Sequence, residues 1–207
     1  MQVLFETGLT SEQYISRQGW REARLPVCPM HPGGGCGYAR HGTYERKRPG
    51  VMYVARWYCR QAHTTISLLP QFMAARLPGT MAELEKVVAV AEQARSLEEA
   101  ANQLRTDDVA LASAMRWVRR RVRAAHRNLV VVLGLRPDLF GGVTPTVTAL
   151  RAHLRQPDVL VACRQLAGSQ LVHLAGPVGL QPPAQPRRYP KLRSQQYMGT
   201  ASGTDPP

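Results

Sequence analysis

Acidic residues are scarce in this 207-residue chain, with 14 Asp and Glu set against 27 Lys and Arg, for a net charge of +13. Beyond Asn128 the only acids are Asp138, Asp158 and Asp205. That is too few for the three carboxylates of two-metal strand transfer. Long apolar runs are missing too. The longest, 129–133 and 159–163, fall far short of the roughly 20 residues that a membrane helix needs. No basic stretch precedes an apolar one at the start of the sequence, so no secretory signal is expected. Four cysteines are too few for a disulfide scaffold, and a reducing cytoplasm is the expected compartment. Neither a P-loop, a dinucleotide fingerprint nor a serine elbow is present, and no enzyme is expected.

Lysine is nearly absent, at 3 residues against 24 arginines. Arginine brings a planar five-donor fork that suits phosphates and base edges, where lysine is a hydrated point charge. A chain this basic is expected to meet a polyanion, nucleic acid before a membrane surface.

Three of the four cysteines and three of the six histidines fall between positions 28 and 63. Cys28, His31 and Cys36 form one cluster, Cys59 and His63 the other. Between them 41–47 and 51–58, joined by Arg48-Pro49-Gly50, read as a β-hairpin, because the second arm is rich in β-branched and aromatic residues and Pro-Gly marks the turn. Two ligand-bearing loops at the open end of a hairpin predict a zinc ribbon. Structural zinc takes four N or S ligands in a closed tetrahedron. Cys28, Cys36, Cys59 and His63 are the preferred set, and His31 competes for the second place with Cys36 then spare. Glu45 is the only acid in 28–80, so the expected zinc is structural rather than catalytic. Cys163, in an apolar run, reads as a small buried hydrophobe.

Arg46, Lys47, Arg48 and Arg56 interleave with Tyr44, Tyr53 and Trp57 on the predicted hairpin. Cations that neutralise phosphates beside rings that stack on bases suit a nucleic-acid surface. The alternative is a solvated ribbon whose aromatics enlarge a small core.

The period then changes. Thr80-x-x-Glu83 and Ser96-x-x-Glu99 are capping boxes that predict helices over about 81–94 and 97–104. Asp107 or Asp108 is expected to cap a third helix running to Asn128. Long, short, turn and long again fits a helix-turn-helix arrangement. In the third helix Leu111, Met115, Val118, Val122, Ala125 and Leu129 make one apolar stripe. Arg116, Arg119, Arg120, Arg123 and Arg127 fall on a separate arc, with Arg121 off it beside Trp117. No acid lies between Val109 and Arg127. This face can lie along phosphates, or it can be solvated and paired with Glu83, Glu85, Glu92, Glu98 or Glu99. Recognition helices present their N-terminal residues to bases, but here that end carries Asp107 and Asp108, which favours backbone contact.

Further on, Thr144-Pro145 predicts a helix to about Arg155, and Asp158 caps another to about Ala167. The segment from Gly176, rich in Pro, Gly, Gln and Ser, predicts a disordered basic tail. The expected fold class is α+β, mostly α. Its expected parts are an N-terminal segment (1–24), the ribbon (25–75), a helical domain (78–135), C-terminal helices (136–175) and the tail (176–207).

Cys28-Pro-Met-His31-Pro, Gly-Gly-Cys36-Gly, His41-Gly-Thr-Tyr-Glu-Arg-Lys47, Trp57-Tyr-Cys59 and His63-Thr-Thr-Ile-Ser-Leu-Leu-Pro70 together resemble an uncharacterised bacterial zinc-ribbon family. The likeness continues through Ala75-Arg-Leu-Pro-Gly-Thr80 and Met115-Arg-Trp-Val-Arg-Arg-Arg121. More loosely, ribbon followed by helix-turn-helix is similar to the DNA-binding front ends of insertion-element transposases and their accessory proteins. Where such ribbons carry a second cysteine, this chain has Ala62 and then His63. The resemblance implies a DNA-binding accessory or regulatory factor of a mobile element. An adaptor recruiting a transposase or another DNA enzyme, and an RNA-binding protein, are the alternatives.

Overall fold

A computed structural model of the protein describes residues 1–75 and 77–171. The predicted tail at 176–207 lies outside the described residues. The fold is α+β, a four-stranded sheet followed by a helical layer.

The predicted hairpin is present as β2 (Ala39–Arg46) and β3 (Met52–Cys59), which pair antiparallel from Arg46↔Met52 to Ala39↔Tyr58. The register shifts between Arg40 and Thr43. Gly42 sits in this irregularity at φ +92°, a conformation that a side chain disfavours. The sheet is wider than a hairpin. β4 (Thr64–Pro70) adds to β3 antiparallel, and β1 (Gln2–Phe5) adds to β4 in parallel, giving the order β1-β4-β3-β2.

Residues 1–24 are built into this sheet. Beside β1, Thr10 caps α1 (Ser11–Ser16) in a reciprocal box with Gln13, and α1 delivers Tyr14 to a fully buried place against Met52, Val54, Leu69 and Met73.

The helical layer begins at the end of β4, where the Met81 amide donates to Phe72 O at 2.8 Å. Thr80 caps α2 (Met81–Gln93) through the predicted box with Glu83, and Ser96 caps α3 (Leu97–Leu104). α4 (Leu111–Leu135) differs from expectation at both ends. Its N-cap is Ala110, with no side-chain bond, while Asp108 instead accepts from the Thr106 hydroxyl. Its C-terminus lies well past Asn128, because Leu129 and Val132 continue the buried stripe and burial outweighs the low helix propensity of a valine run and Gly134. Pro137 then prevents continuation. Val118, Ala125 and Leu129 of the predicted stripe are fully buried, and Leu111, Met115 and Val122 pack at its margins.

Two further helices, α6 (Val147–Leu154) and α7 (Val159–Leu166), follow the single turn α5 (Pro137–Phe140) and precede the single turn α8 (Gly168–Leu171). Thr146, rather than Thr144, caps α6, and Asp158 makes no cap bond to α7. Two carboxylates of α2, two turns apart on one face, hold further amides at the starts of α6 and α7. Glu92 accepts from the Val147 and Thr148 amides at 2.7 and 2.8 Å. Glu85, 3% exposed, accepts from the Leu160 amide at 3.1 Å and from Arg151 Nη2 at 2.7 Å. Glu85→Ala leaves a buried amide and a guanidinium without their acceptor, and a loss of about 2–3 kcal/mol is expected. Denaturant unfolding measures it, and a change below about 0.5 kcal/mol would contradict the capping role.

Candidate metal centre and basic face

The loop entering the first cluster is held by Tyr38, whose hydroxyl meets Leu25 O at 3.0 Å and Pro26 O at 2.8 Å. Cys28 opens a tight turn in which the His31 amide donates to Cys28 O at 3.0 Å. Cys36 lies between Gly35 at φ +77° and Gly37 at φ +60°. Two left-handed residues in succession around it turn its sulfur back toward Cys28, which β-carbons there would oppose. Cys59 ends β3, and the Ala62 amide points at its Sγ from 3.4 Å.

The ligand atoms of Cys28, His31, Cys36 and Cys59 all lie within 4.8 Å of one another and could hold a metal ion. His31 Nδ1 is 3.4 Å from Cys59 Sγ and 3.7 Å from Cys28 Sγ. The three sulfurs are buried in a small core with Ala23, Leu25, Ala55, Ile66 and Leu68. Burial pushes the Cys28 thiol up. Burial acts on Cys59 in the same direction, but the Ala62 and Gln61 amides and the neighbouring Cys28 and Cys36 thiols outweigh it and hold Cys59 below the ordinary thiol range. Three thiolates this close together would require a cation among them.

His63 is not in this group, which corrects the preferred set. It stands exposed at φ +46°, with Nδ1 3.3 Å from the Tyr58 hydroxyl. The Cys59 turn is already closed by the Ala62 amide, so the next residue has swung away to start β4. His31 takes its place, and Cys36 is retained beside it rather than displaced. Cys163 is fully buried in α7, and burial raises its thiol to about 12.

The five arginines of the predicted arc, Arg116, Arg119, Arg120, Arg123 and Arg127, are all exposed on α4. They line one shallow depression together with Ala124. The two ion pairs among the described residues, Arg136–Asp138 and Arg151–Glu85, involve none of them. Four of the five acids that might have solvated this face are engaged elsewhere, and Glu98 stays exposed on α3. Glu83 holds the Thr80 amide at 2.6 Å, Glu85 and Glu92 cap distant helices, and Glu99 holds the Arg95 amide at 2.8 Å. Arg121, off the arc as predicted, is buried with its guanidinium 4.1 Å from the Trp117 ring centre.

The basic residues of the hairpin do not form a single patch. Lys47 and Arg48 are exposed at its turn. Arg46 is half-buried, 5.7 Å from the Tyr44 ring. Arg56 sits about 13 Å along β3 from the turn, opposite Ser67. The interleaved rings pack inward. Trp57 lies 5.6 Å from Tyr38 and Tyr53 lies 5.3 Å from Trp20, between ring centres. Trp57 lies at the margin of the small core around the cysteines, and Tyr53 is half-buried.

The capping roles of Glu85 and Glu92 had no signal in the sequence, since the amides that they hold lie more than fifty residues away. Among the described residues, no helix is long and apolar enough to cross a membrane. Compared with known protein families, curated proteins and solved structures, the chain matches none.

Proposed function

We propose that this chain is a non-enzymatic DNA-binding protein whose sheet is held by a structural zinc ion. The observation that carries the DNA reading is the face of five exposed, uncompensated arginines on α4. From Arg116 to Arg127 it extends about 16 Å along the helix, long enough to follow several phosphates. The α3–α4 pair is helix-turn-helix-like in this reading. The Asp107 and Asp108 end keeps away from the bases, so contact is chiefly with the backbone.

The metal reading rests on the donor set and its spacing. Three thiolates and an imidazole suit zinc, and four protein ligands leave no open position for catalysis. Zinc–sulfur and zinc–nitrogen bonds of ordinary length give a tetrahedral S···N edge of about 3.5–3.6 Å, and the two edges at 3.4 and 3.7 Å bracket it. Bound zinc would act here as a cross-link between the 28–36 loop and the end of β3. A role as an accessory factor of a mobile element follows from the resemblance of the cysteine and arginine motifs.

The test is retention of sheared genomic DNA by the full chain at low and moderate salt. Five phosphate contacts give a slope of log K against log salt near −4.5, and Arg123→Ala flattens it by about one. Retention that is absent at low salt, with salt-insensitive capture of a protein instead, would replace DNA binding by the adaptor role.

A further inference from the structure

Arg164 lies in the last turn of α7 and is 4% exposed. Its Nη2 donates to the main-chain oxygen of Gln71, while its buried Nη1 has no hydrogen-bond partner. A buried guanidinium is normally met by an anion and by acceptors for all its donors. The two ion pairs among the described residues do not include it. Arg164 instead lines a cavity of about 400 Å³ with Leu4, Glu6, Gln71, Gln165 and Gly168. That size falls within the about 300–1,000 Å³ of small-molecule sites. The cavity lies at the carboxyl ends of β1 and β4, which run parallel, and against the junction of α7 with α8. Open α/β sheets bind their ligands beyond the same ends of their strands. Glu6 is the one carboxylate on the wall. It is exposed and makes no ion pair among the described residues, so the two opposite charges share the cavity without meeting. Gln71 completes the polar lining. The Thr7 amide donates to its Oε1 at 3.0 Å, which leaves its Nε2 as a donor.

We propose that this cavity binds a small zwitterion of the α-amino acid type, with its carboxylate on Arg164 and its ammonium on Glu6. The guanidinium fork matches a carboxylate, and Nη1 is the donor that the chain leaves unused. Gln71 Nε2 adds a second kind of donor to the same end of the ligand. A phosphate dianion suits the cavity poorly, because a single cation faces it and Glu6 repels it. A ligand carrying its own ammonium turns that repulsion into attraction. Leu4 gives the wall an apolar stretch for the ligand's side chain. At Gly168 an added β-carbon would meet no heavy atom within 4 Å, so the wall is set back there. Such a site neither needs nor affects the arginine face of α4, and it stands or falls apart from DNA binding.

The experiment uses the full chain. Its thermal midpoint is read with each common amino acid in turn at millimolar concentration, and with acetate, methylamine and inorganic phosphate at matched ionic strength and pH. At least one amino acid is expected to raise the midpoint beyond any of the three simpler ions, and calorimetric titration of it is expected to give one site per chain. Arg164→Met is expected to abolish that binding. Should this variant fold poorly, Glu6→Gln decides alone, since its side chain is exposed and holds nothing in the fold. Glu6→Gln is expected to weaken the amino acid by about tenfold, the loss of one charge-assisted bond, while leaving the response to acetate unchanged. No rise with any amino acid in the unmodified chain would overturn the site. Binding that is unchanged in Glu6→Gln, or that is stronger for phosphate than for every amino acid, would overturn the zwitterion as its ligand.

Discussion

Chelation of the proposed zinc is expected to release the sheet while leaving the helices folded. The core beneath the four ligands is small. It consists of the three buried cysteines, two alanines, two leucines and an isoleucine, with Met30, Tyr38 and Trp57 at its margin. Without a cation nothing bridges the three sulfurs, and the 28–37 loop has little else to hold it. The helices have their own cores, built around Leu84, Val88, Leu129 and Leu150 on one side and Val87, Ala101 and Val118 on the other. Hydrogen exchange read by mass spectrometry is expected to show loss of protection over 23–68, with protection over 111–135 retained. Single substitutions sharpen this. His31→Ala is expected to lower metal affinity by more than about 100-fold, beyond what losing a group that merely orients a ligand costs, whereas His63→Ala keeps one metal per chain. Metal content measured on the purified variants decides it, and equal retention by both would remove His31 from the site.

Replacing Arg116, Arg119, Arg120, Arg123 and Arg127 together by glutamine is expected to abolish salt-sensitive duplex binding. Five released counterions correspond to an affinity that falls about 500-fold between 50 and 200 mM salt in the unmodified chain, and the five-fold variant loses that dependence with the binding itself. Stability is expected to hold. All five side chains are exposed, and among the described residues the hydrogen bond they give up is that of Arg116 to Ser113 Oγ at 3.0 Å, on the surface. Circular dichroism and the unfolding midpoint serve as the control. A well-folded variant that still binds with the original slope would locate the nucleic-acid surface elsewhere.

Two capping boxes and the helical period translated directly into structure, whereas the caps expected at Asp107 or Asp108, Thr144 and Asp158 did not form. Thr80-x-x-Glu83 and Ser96-x-x-Glu99 announced helix starts because a cap is satisfied within four residues. The stripe and the arginine arc of α4 follow from helical period alone. β1 was missed because four residues without alternation say nothing until β4 is beside them, and β4 was passed over because Pro70 and the doublet Leu68-Leu69 mask its pattern. The metal centre was half legible. Residue types and clustering pointed to it, but three of its four clustered residues come from a loop whose path includes left-handed Gly35 and Gly37, and the sequence set His31 against Cys36 where the structure brings both to the cluster. Arg121 was visible only as an arginine off the arc. Its burial depends on Pro78, forty-three residues away.

The parallel pairing of β1 with β4 sets an order of assembly. Residues 6–66 form the loop that must close before Gln2 meets Ser67, and closure of a long loop is entropically costly before any contact rewards it. A metal joining residue 28 to residue 59 short-circuits that loop at its middle, and β4 starts just beyond the joined point. Docking of the first strand is therefore the long-range step of assembly, and on the zinc reading an ion that the strand never touches shortens the loop that it must close.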